Sequence, residues 1–436
     1  MTERRFIRAF VAFVVLVLCL CGGINFVVDP YMLFDTAPIT GFNSAKPASA
    51  TREHMMKAYQ SSRVQAATVV IGSSRTDLGL NPAHDAWPAA LRPVYNLSLA
   101  GTGLATGLLY LRHMLASNGQ TVPTRTLIVG LDFENFLIKD ANPVKQGFAP
   151  VSKTQEILRL QVLSDGSTNP DCRLSRMNDY ATGLFSLDAL IDSVRTIYVN
   201  RSPFPPTIEA DGHLSEGQLR QWTNADGSAA LFEQKNVQTV RDYSQPVRVL
   251  EGRKDTDDGD GRDITLPGLN EVFNFARARG IRVILAVQPT HVSRLDLLDY
   301  MGYWPVYEQW MRALTFQVAH AAAQGIDVNL WDFGGYQIYA QEVVPTAQEL
   351  RRQMKWYWDP VHYTVALGDK MIDRMLNPHS KDDLGVLLSP MNLENHLKQV
   401  RQDKRRYRLT GGTQVLRDRQ LFCRLAPCAD VTVPVN

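Results

Sequence analysis

Little net charge, few cysteines and no repeated unit characterise this chain of 436 residues. The 5 cysteines show no paired spacing of the kind that holds zinc. A formal net charge of +2 provides no overall field for nucleic acid, so we expect no nucleic-acid partner. The chain also lacks a Walker loop, a dinucleotide glycine fingerprint and internal repeats. What remains is a globular composition, with hydrophobic residues at 45%.

An uncharged apolar run stands near the N-terminus. Arg4, Arg5 and Arg8 precede it, and the run itself extends from Ala9 to Val28. About twenty such residues match a bilayer-spanning helix, and preceding basic residues favour a cytoplasmic N-terminus. We therefore predict a single-pass anchor in a bacterial inner membrane, with the residues after about 29 in the periplasm. A cleaved signal peptide is the alternative, although no Ala-x-Ala site follows closely.

Short apolar runs alternate with helical patterns between residues 66 and 378. Such alternation predicts parallel strands covered by helices on both faces, a three-layer α/β sandwich of flavodoxin-like type. The expected strands lie at 66–72, 94–101, 125–133, 281–289 and 326–333, and the expected helices at 103–117, 269–280, 306–325 and 364–376.

The flanking segments suggest the domain organisation. Residues 1–28 would form a cytoplasmic stub and anchor, and 29–65 a spacer with a short helix. The α/β domain would occupy 66–378, interrupted at about 136–265 by a polar insertion rich in proline and glycine. That insertion is either a lid over the active face or a plain surface elaboration.

A basic extension, residues 379–436, would close the chain. Its segment "KQVRQDKRRYRLTGG" is either a solvated helix or a surface that contacts anionic lipid or an acidic polymer. Cys423 and Cys428 either form a small disulfide in an oxidising compartment or remain buried thiols.

The stretch "VVIGSSRTDLGLNP", residues 69–82, ends a predicted strand in glycine and two serines. In parallel sheets, ligands bind beyond the carboxyl ends of the strands. Ser74, Gly101, Asp132 and His291 all follow predicted strands. The serine pair is either a tight turn or the position of a nucleophile, and His291 is either a substrate contact or a loop histidine without a catalytic part.

A serine nucleophile needs a base, usually a histidine aligned by a carboxylate. The segment "WYWDPVHYTVALGDK" supplies Asp359 and His362, three residues apart and just before a predicted helix. Both side chains could then face one cleft, although an aspartate before a helix is also a common cap. The neighbouring aromatic residues, 356–358, would either stack on sugar rings or pack in the core.

Taken in order, these motifs resemble those of the SGNH hydrolase (GDSL-like) superfamily over about residues 66–378. "IGSS" occupies the place of the nucleophile block, with Ser74 as the nucleophile and Ser73 where aspartate is usual. "NLSLAG" resembles the second block, and "GLDF" the third, with Asp132 in place of asparagine. Asp359 and His362 match the last block. The resemblance implies a Ser-His-Asp triad and an oxyanion contact from the Gly101 N–H.

The aspartate in the third block departs from the family pattern, because an ionised carboxylate cannot donate to an oxyanion. Asp132 could be protonated, it could pair with Arg75, or Asn135 could supply the donor. We expect the Arg75 pairing, which leaves the backbone N–H groups of Ser74 and Gly101 as the oxyanion hole. Asp132 could equally serve only to brace its loop.

The anchor, the "GSSR" variant and the "VDPY" segment resemble a membrane-anchored bacterial subset related to alginate O-acetylation proteins. That resemblance implies a periplasmic acyltransferase or esterase acting on O-acetyl groups of a polysaccharide. It needs no metal or soluble cofactor, and a multi-spanning membrane acyltransferase is a possible donor of the acyl group. The alternative is an inactive relative that binds glycan or assembles an export complex.

Overall fold

The computed structural model describes residues 3–117, 121–139, 155–252, 260–378 and 383–425. Its helices are α1 (Glu3–Val28), α2 (Ser49–Ser61), α3 (Ser74–Gly79), α4 (Leu104–Ser117), α5 (Gln155–Leu158), α6 (Cys172–Phe185), α7 (Leu187–Val199), α8 (Gly217–Tyr243), α9 (Pro267–Arg279), α10 (Val292–Tyr300), α11 (Trp304–Ala323), α12 (Val365–Leu376), α13 (Leu393–Thr410) and α14 (Gly412–Leu425). Its strands are β1 (Thr68–Ile71), β2 (Val94–Asn96), β3 (Thr126–Leu131), β4 (Leu137–Lys139), β5 (Arg248–Leu250), β6 (Arg282–Val287), β7 (Val328–Asp332) and β8 (Val386–Leu387).

Six strands form a mostly parallel sheet in the order β2-β1-β3-β6-β7-β8. The first five strands run parallel, and β8 pairs antiparallel with β7 at the edge. A separate antiparallel pair joins β4 to β5. The prediction of an α/β protein built on a parallel sheet is therefore confirmed.

The central strands are buried on both faces, as short β-branched runs between helices require. Every residue of β1 and β3 is buried, so neither set of alternating side chains faces water. On one face the core joins strand residues to the apolar side of α12: Val70, Ile128, Ile284, Trp331, Leu367, Met371 and Ile372.

All five predicted strands and all four predicted helices are present. Gly280 follows α9 in the left-handed conformation, with a φ of 61°, and it ends that helix as expected. The antiparallel strands β4, β5 and β8 were not predicted. Each has two or three residues, too few for a period-2 pattern to stand out.

The chain divides into two compact units. Unit 1 contains residues 1–66, 106–123 and 150–218, and unit 2 contains 67–105, 124–149 and 219–436. The expected spacer, 29–65, contains α2 and belongs to unit 1, whereas the expected insertion, 136–265, is shared between both units. Unit 2 carries the six-stranded sheet.

Helix α1 in unit 1 is long and apolar enough to cross a membrane. Its last turn is held by neighbouring parts of the same unit. Lys46 Nζ donates to the backbone oxygen of Val28 at 2.8 Å, where a helix leaves carbonyl groups without partners. By composition and length, α1 is consistent with either a signal sequence or a membrane anchor.

The basic extension forms α13 and α14 within unit 2. Several basic side chains of α13 pair with acidic residues of α10 and α11: Arg401 with Glu308 at 2.8 Å, Lys404 with Asp299 at 3.1 Å, and Arg408 with Asp296 at 2.8 Å. Part of its charge is therefore neutralised inside the unit, which neither sequence-based interpretation included. The proposed disulfide involves Cys428, which lies outside the described residues.

Candidate active site

Unit 2 brings a serine, a histidine and an aspartate into one hydrogen-bonded chain. Ser74 Oγ lies 2.9 Å from His362 Nε2, and His362 Nδ1 lies 2.7 Å from Asp359 Oδ2. Ser74 is half-buried, whereas Asp359 is 2% and His362 is 8% exposed. An aspartate that accepts the Nδ1 proton leaves Nε2 as the acceptor for the serine hydroxyl, which is the arrangement of a general base.

The local sequence explains why Asp359 and His362 meet. Asp359 Oδ1 accepts hydrogen bonds from the N–H groups of Val361 at 2.7 Å and His362 at 2.8 Å. This aspartate turn is closed at its base, where the Trp358 N–H donates to the His362 carbonyl at 2.9 Å. One carboxylate therefore shapes the backbone with one oxygen and orients the imidazole with the other.

Electrostatics keep Asp359 ionised. Burial raises the pKa of this carboxyl, but the charge and hydrogen bond of His362 and the charge of Lys235 outweigh burial. Together they lower the pKa from 3.8 to about 2. At neutral pH the carboxylate is therefore available to stabilise a protonated imidazole.

Ser74 is presented by the turn that joins β1 to α3. Ser73 is the extended residue before α3, and its hydroxyl accepts from the Arg75 N–H at 3.3 Å as a helix cap. Ser74 is the first helical residue, a position whose N–H has no acceptor within the helix. The nucleophile candidate thus combines an accessible hydroxyl with an available backbone donor.

Close backbone packing sets the position of α3 against α12. A Cβ at Gly368 would meet the Gly79 carbonyl oxygen at 1.7 Å, so only glycine permits this approach. A Cβ at Gly79 would in turn meet the Tyr363 ring at 1.9 Å. Because α3 begins at Ser74 and α12 begins three residues after His362, this contact fixes the distance between the two side chains.

Asp132 forms a buried ion pair with Arg75, as expected. Arg75 Nη1 lies 2.8 Å from Asp132 Oδ1, and the Ser73 hydroxyl also donates to the Asp132 carboxylate. The Arg75 side chain donates further to the Pro289 carbonyl at 2.6 Å and to Thr290 Oγ1 at 2.7 Å. Asp132 therefore pairs with the Arg75 charge and accepts a hydrogen bond from the Ser73 hydroxyl, so its side chain is engaged on the side of the nucleophile turn.

A second ion pair continues this buried network, and sequence reasoning missed it. Glu134 Oε1 accepts from Arg294 Nε at 2.7 Å. Burial raises the pKa of Glu134, but the charges of Arg294 and Arg75 outweigh it, and the net shift is downward. The two arginines and the two carboxylates balance in charge, which reduces the cost of burying Arg75. The only sequence signal for Glu134 was its position, two residues after Asp132.

Two uncharged polar residues brace the site from below and were also missed. Gln288 donates to Thr76 Oγ1 and accepts from the Tyr363 hydroxyl at 2.5 Å, so it links α3 to the histidine loop. Asn96 Nδ2 donates to the carbonyls of Thr76 at 3.0 Å and Leu80 at 2.9 Å. Gln288 follows the last residue of β6, and Asn96 is the last residue of β2. Their position at the carboxyl ends of strands was the signal by which the sequence could have identified them.

Gly101 lies in the loop after β2, with a φ of 68°. That loop runs beside the nucleophile turn, since the Leu99 N–H donates to the Gly72 carbonyl at 3.0 Å. Asn135 Nδ2 donates to the Thr102 carbonyl at 3.1 Å, which ties the loop after β3 to the loop after β2. Asn135 is thus engaged with backbone next to Gly101.

Both ring nitrogens of His291 are engaged by the protein, which favours the second of its two sequence-based interpretations, a loop histidine without a catalytic part. The residue is 0% exposed, its Nε2 lies 2.7 Å from the Glu342 carbonyl, and its Nδ1 accepts from the Ser293 N–H. Burial lowers its pKa to about 4, so the ring is neutral at pH 7. Its N–H donates to the Pro360 carbonyl at 3.3 Å, and we assign it the role of supporting the Asp359 loop.

The aromatic residues beside the triad were expected either to stack on sugar rings or to pack in the core, and they differ in exposure. Tyr357 is 0% and Trp358 is 4% exposed, so both pack in the core. Trp356 is half-buried and remains open to contact. Within the described residues, no cluster of three or more histidine, cysteine, aspartate or glutamate side chains is placed to hold a metal ion.

No protein family, curated protein or solved structure matches this chain. The assignment of function therefore depends on the sheet, the motifs and the geometry of the site.

Proposed function

We propose that this protein is a serine acyltransferase or esterase that acts on O-acyl groups through Ser74, His362 and Asp359. The observation that carries the proposal is the hydrogen-bonded chain from Ser74 Oγ to His362 Nε2 at 2.9 Å and from His362 Nδ1 to Asp359 Oδ2 at 2.7 Å. Ser74 and His362 are 288 residues apart in the sequence, and the fold of unit 2 brings them within hydrogen-bond distance.

In the first half of the reaction, Ser74 Oγ attacks the acyl carbonyl carbon while its proton moves to His362 Nε2. The tetrahedral intermediate breaks its bond to the departing alcohol, which takes the proton from Nε2, and an acyl-serine remains. Water or a sugar hydroxyl then gives its proton to Nε2 and attacks the ester carbonyl. The bond between the acyl carbon and Ser74 Oγ breaks, Oγ takes the proton back from Nε2, and the free acid or the acylated sugar leaves. Water makes the protein an esterase, and a sugar hydroxyl makes it a transferase.

Developing negative charge on the carbonyl oxygen requires hydrogen-bond donors. Asp132 is paired with Arg75 at 2.8 Å and supplies none. We assign this task to the backbone N–H groups of Ser74 and Gly101, neither of which donates to another group in the described part of the chain. In this assignment Asp132 does not contact the oxyanion. It holds the Arg75 side chain in place beside the turn that carries Ser74.

Strand order supports the finer fold assignment. The parallel strands β2-β1-β3-β6-β7 follow the flavodoxin-like order, and the order reverses between β1 and β3. Ser74 follows β1 and Asp132 follows β3, so the site lies at this switch point, where α/β sheets bind ligands. With the four motifs, this placement favours an SGNH-like three-layer domain, and the resemblance to O-acetylation proteins makes an acetylated envelope polysaccharide the proposed substrate.

We further propose that α1 remains attached as an inner-membrane anchor with the α/β domain in the periplasm. Support comes from Asn25, which is 0% exposed and bonds through both ends of its amide to α6 and α7. A helix that is removed would leave those partners unpaired. The intact mass of the protein purified from membranes tests this: retention of Met1 supports the anchor, and a start near residue 29 refutes it.

The catalytic proposal is tested with full-length protein and an aryl acetate. Wild-type protein should hydrolyse the ester and carry a mass-spectrometric acyl or fluorophosphonate adduct on Ser74. Ser74→Ala should lose both, whereas Ser73→Ala, the neighbouring hydroxyl, should still be labelled at Ser74. An adduct on Ser73 in the wild type, or equal turnover by Ser74→Ala, would refute the assigned nucleophile.

One observation favours a second candidate. Asp132 stands where the SGNH hydrolases that the motifs resemble have an oxyanion donor, and the loss of one such donor raises a barrier by about 3–4 kcal/mol. The protein would then be an inactive glycan-binding or assembly component. Absence of hydrolysis, combined with unchanged polysaccharide acetylation in cells that carry Ser74→Ala, would establish that alternative.

A further inference from the structure

Helices α6 and α7 of unit 1 follow each other directly, with only Ser186 between them, and are called the α6–α7 hairpin below; their outer side is apolar. The outer side of α7 carries a stripe at helical spacing, and each member is more than half exposed: Leu187, Ile191, Val194 and Tyr198. The outer side of α6 adds Leu174 and Met177, and Phe185, beside α1, is also half exposed. In a water-soluble protein, the apolar stripe of a helix faces the core. Here the apolar stripe is exposed, which is typical of a surface that another molecule covers.

The opposite side of α7 is polar and faces the interior of the unit. Asp192 accepts from the Tyr31 hydroxyl at 2.7 Å, and the buried Ser193 donates to Asn25 Oδ1 at 2.8 Å. The exposed charges Asp188 and Arg195 border the apolar stripe without interrupting it. The two sides of α7 are thus clearly separated, as in helices that lie at a membrane surface.

The hairpin packs against the C-terminal part of α1. A Cβ at Gly22 would meet the Phe185 ring at 3.0 Å, which shows how closely the two helices approach. Asn25 Nδ2 donates to the Leu184 carbonyl at 2.8 Å. An amide in a membrane helix requires such partners, because lipid offers none.

The position of this contact along α1 determines its depth. A bilayer core requires about 20 apolar residues, and the uncharged run from Ala9 to Val28 supplies only that many. Gly22 lies six residues before Val28, which corresponds to about 9 Å along the helix axis. If α1 spans the bilayer with Val28 at the outer edge of the lipid core, Gly22 lies inside that core. The junction of α6 and α7, which touches Gly22, then lies inside it as well.

We propose that the α6–α7 hairpin enters the outer half of the bilayer beside α1, with its apolar outer side covered by lipid acyl chains. This inference rests on the anchor in the proposed function, and it is independent of the catalytic assignment. Lipid is the favoured occupant because the apolar outer side is continuous with the apolar surface of α1, where Ile24, Phe26 and Val27 are also exposed. Unit 1 would then hold the protein at the membrane surface in addition to tethering it.

Site-directed spin labelling in lipid vesicles tests the proposal. Single cysteines replace Ile191 and Leu174 on the hairpin, Leu16 in α1 and Ala210, an exposed residue of unit 1 outside the hairpin, in a full-length background with the native cysteines changed to alanine. Collisions with oxygen report lipid, and collisions with a water-soluble nickel chelate report water. We expect the oxygen-to-nickel ratio at 191 and 174 to exceed that at 210 several-fold and to stay below that at 16, which lies deeper in the bilayer.

The outcomes separate the failure of each idea. A high ratio at 16 with low ratios at 191 and 174 would overturn the hairpin proposal and leave the anchor intact. A low ratio at 16 would refute the anchor itself. Protection from both reagents at 191 would show that protein, such as a second copy or a membrane partner, covers the apolar side, and this result also overturns the lipid assignment.

Discussion

The contact between Gly368 and Gly79 leads to a prediction about the catalytic distance. In Gly368→Ala, the new Cβ would lie 1.7 Å from the Gly79 carbonyl oxygen, whereas such atoms are essentially never closer than 3.0 Å. The backbone must therefore open by about 1.3 Å at this point. Gly79 cannot absorb the shift by moving sideways, because the Tyr363 ring packs directly against it.

This displacement exceeds what the Ser74 hydrogen bond tolerates. The Ser74–His362 distance is 2.9 Å, and an interaction beyond about 3.5 Å no longer counts as a hydrogen bond. A misplacement of about 1 Å costs on the order of 10²-fold in rate, or about 2.7 kcal/mol of barrier. We therefore expect kcat/KM for an aryl acetate to fall about 10²-fold in Gly368→Ala, with some loss of stability from the strained α3–α12 contact.

The matched control is Ala366→Ser, on the exposed side of the same helix, which changes helix composition without touching α3. Activity should be measured with detergent-solubilised full-length protein, and folding should be checked by circular dichroism and urea denaturation. A folded Gly368→Ala protein with wild-type kcat/KM would refute the reasoning, since it would show that the helix contact does not set the distance between serine and histidine.

Three further outcomes follow from the charges of the site. Asp359→Asn should lower turnover of the aryl acetate about 10⁴-fold, because the amide favours the tautomer whose Nε2 already carries a proton; a decrease below tenfold would contradict that role. The pKa of Asp359 is lowered from 3.8 to about 2 in the folded protein. The ionised carboxylate therefore stabilises the fold fully above about pH 3.8, and this contribution to the free energy of unfolding is lost as the pH falls toward 2. Urea titrations should show this acid loss in the wild type and a flatter profile in Asp359→Asn; identical profiles would exclude it. Arg75→Met should lower the free energy of unfolding by about 3–5 kcal/mol, and Arg75→Met/Asp132→Leu should recover part of that loss; additive losses in the double variant would show that the two side chains are not coupled.

Local patterns predicted the sheet, because a short apolar run and a helical period are each complete within about a dozen residues. The same holds for Asp359 and His362, whose turn is closed by hydrogen bonds within the segment itself. The short strands β4, β5 and β8 lacked such a pattern. The two interpretations of His291 stayed open because a position after a strand does not reveal whether the side chain turns toward the cleft or, as here, into the core.

By itself, the amino-acid sequence determined the α/β architecture, the apolar helix at the N-terminus and the positions of the serine, histidine and aspartate at strand or loop ends. Only the tertiary structure decided which partners they meet. It paired Arg75 with both Asp132 and the loop after β6, joined Glu134 to Arg294, and placed Gly368 against Gly79. The physical reason is that local periodicity encodes the elements, whereas side-chain partners from distant segments depend on strand register and helix packing, which no short stretch of sequence contains.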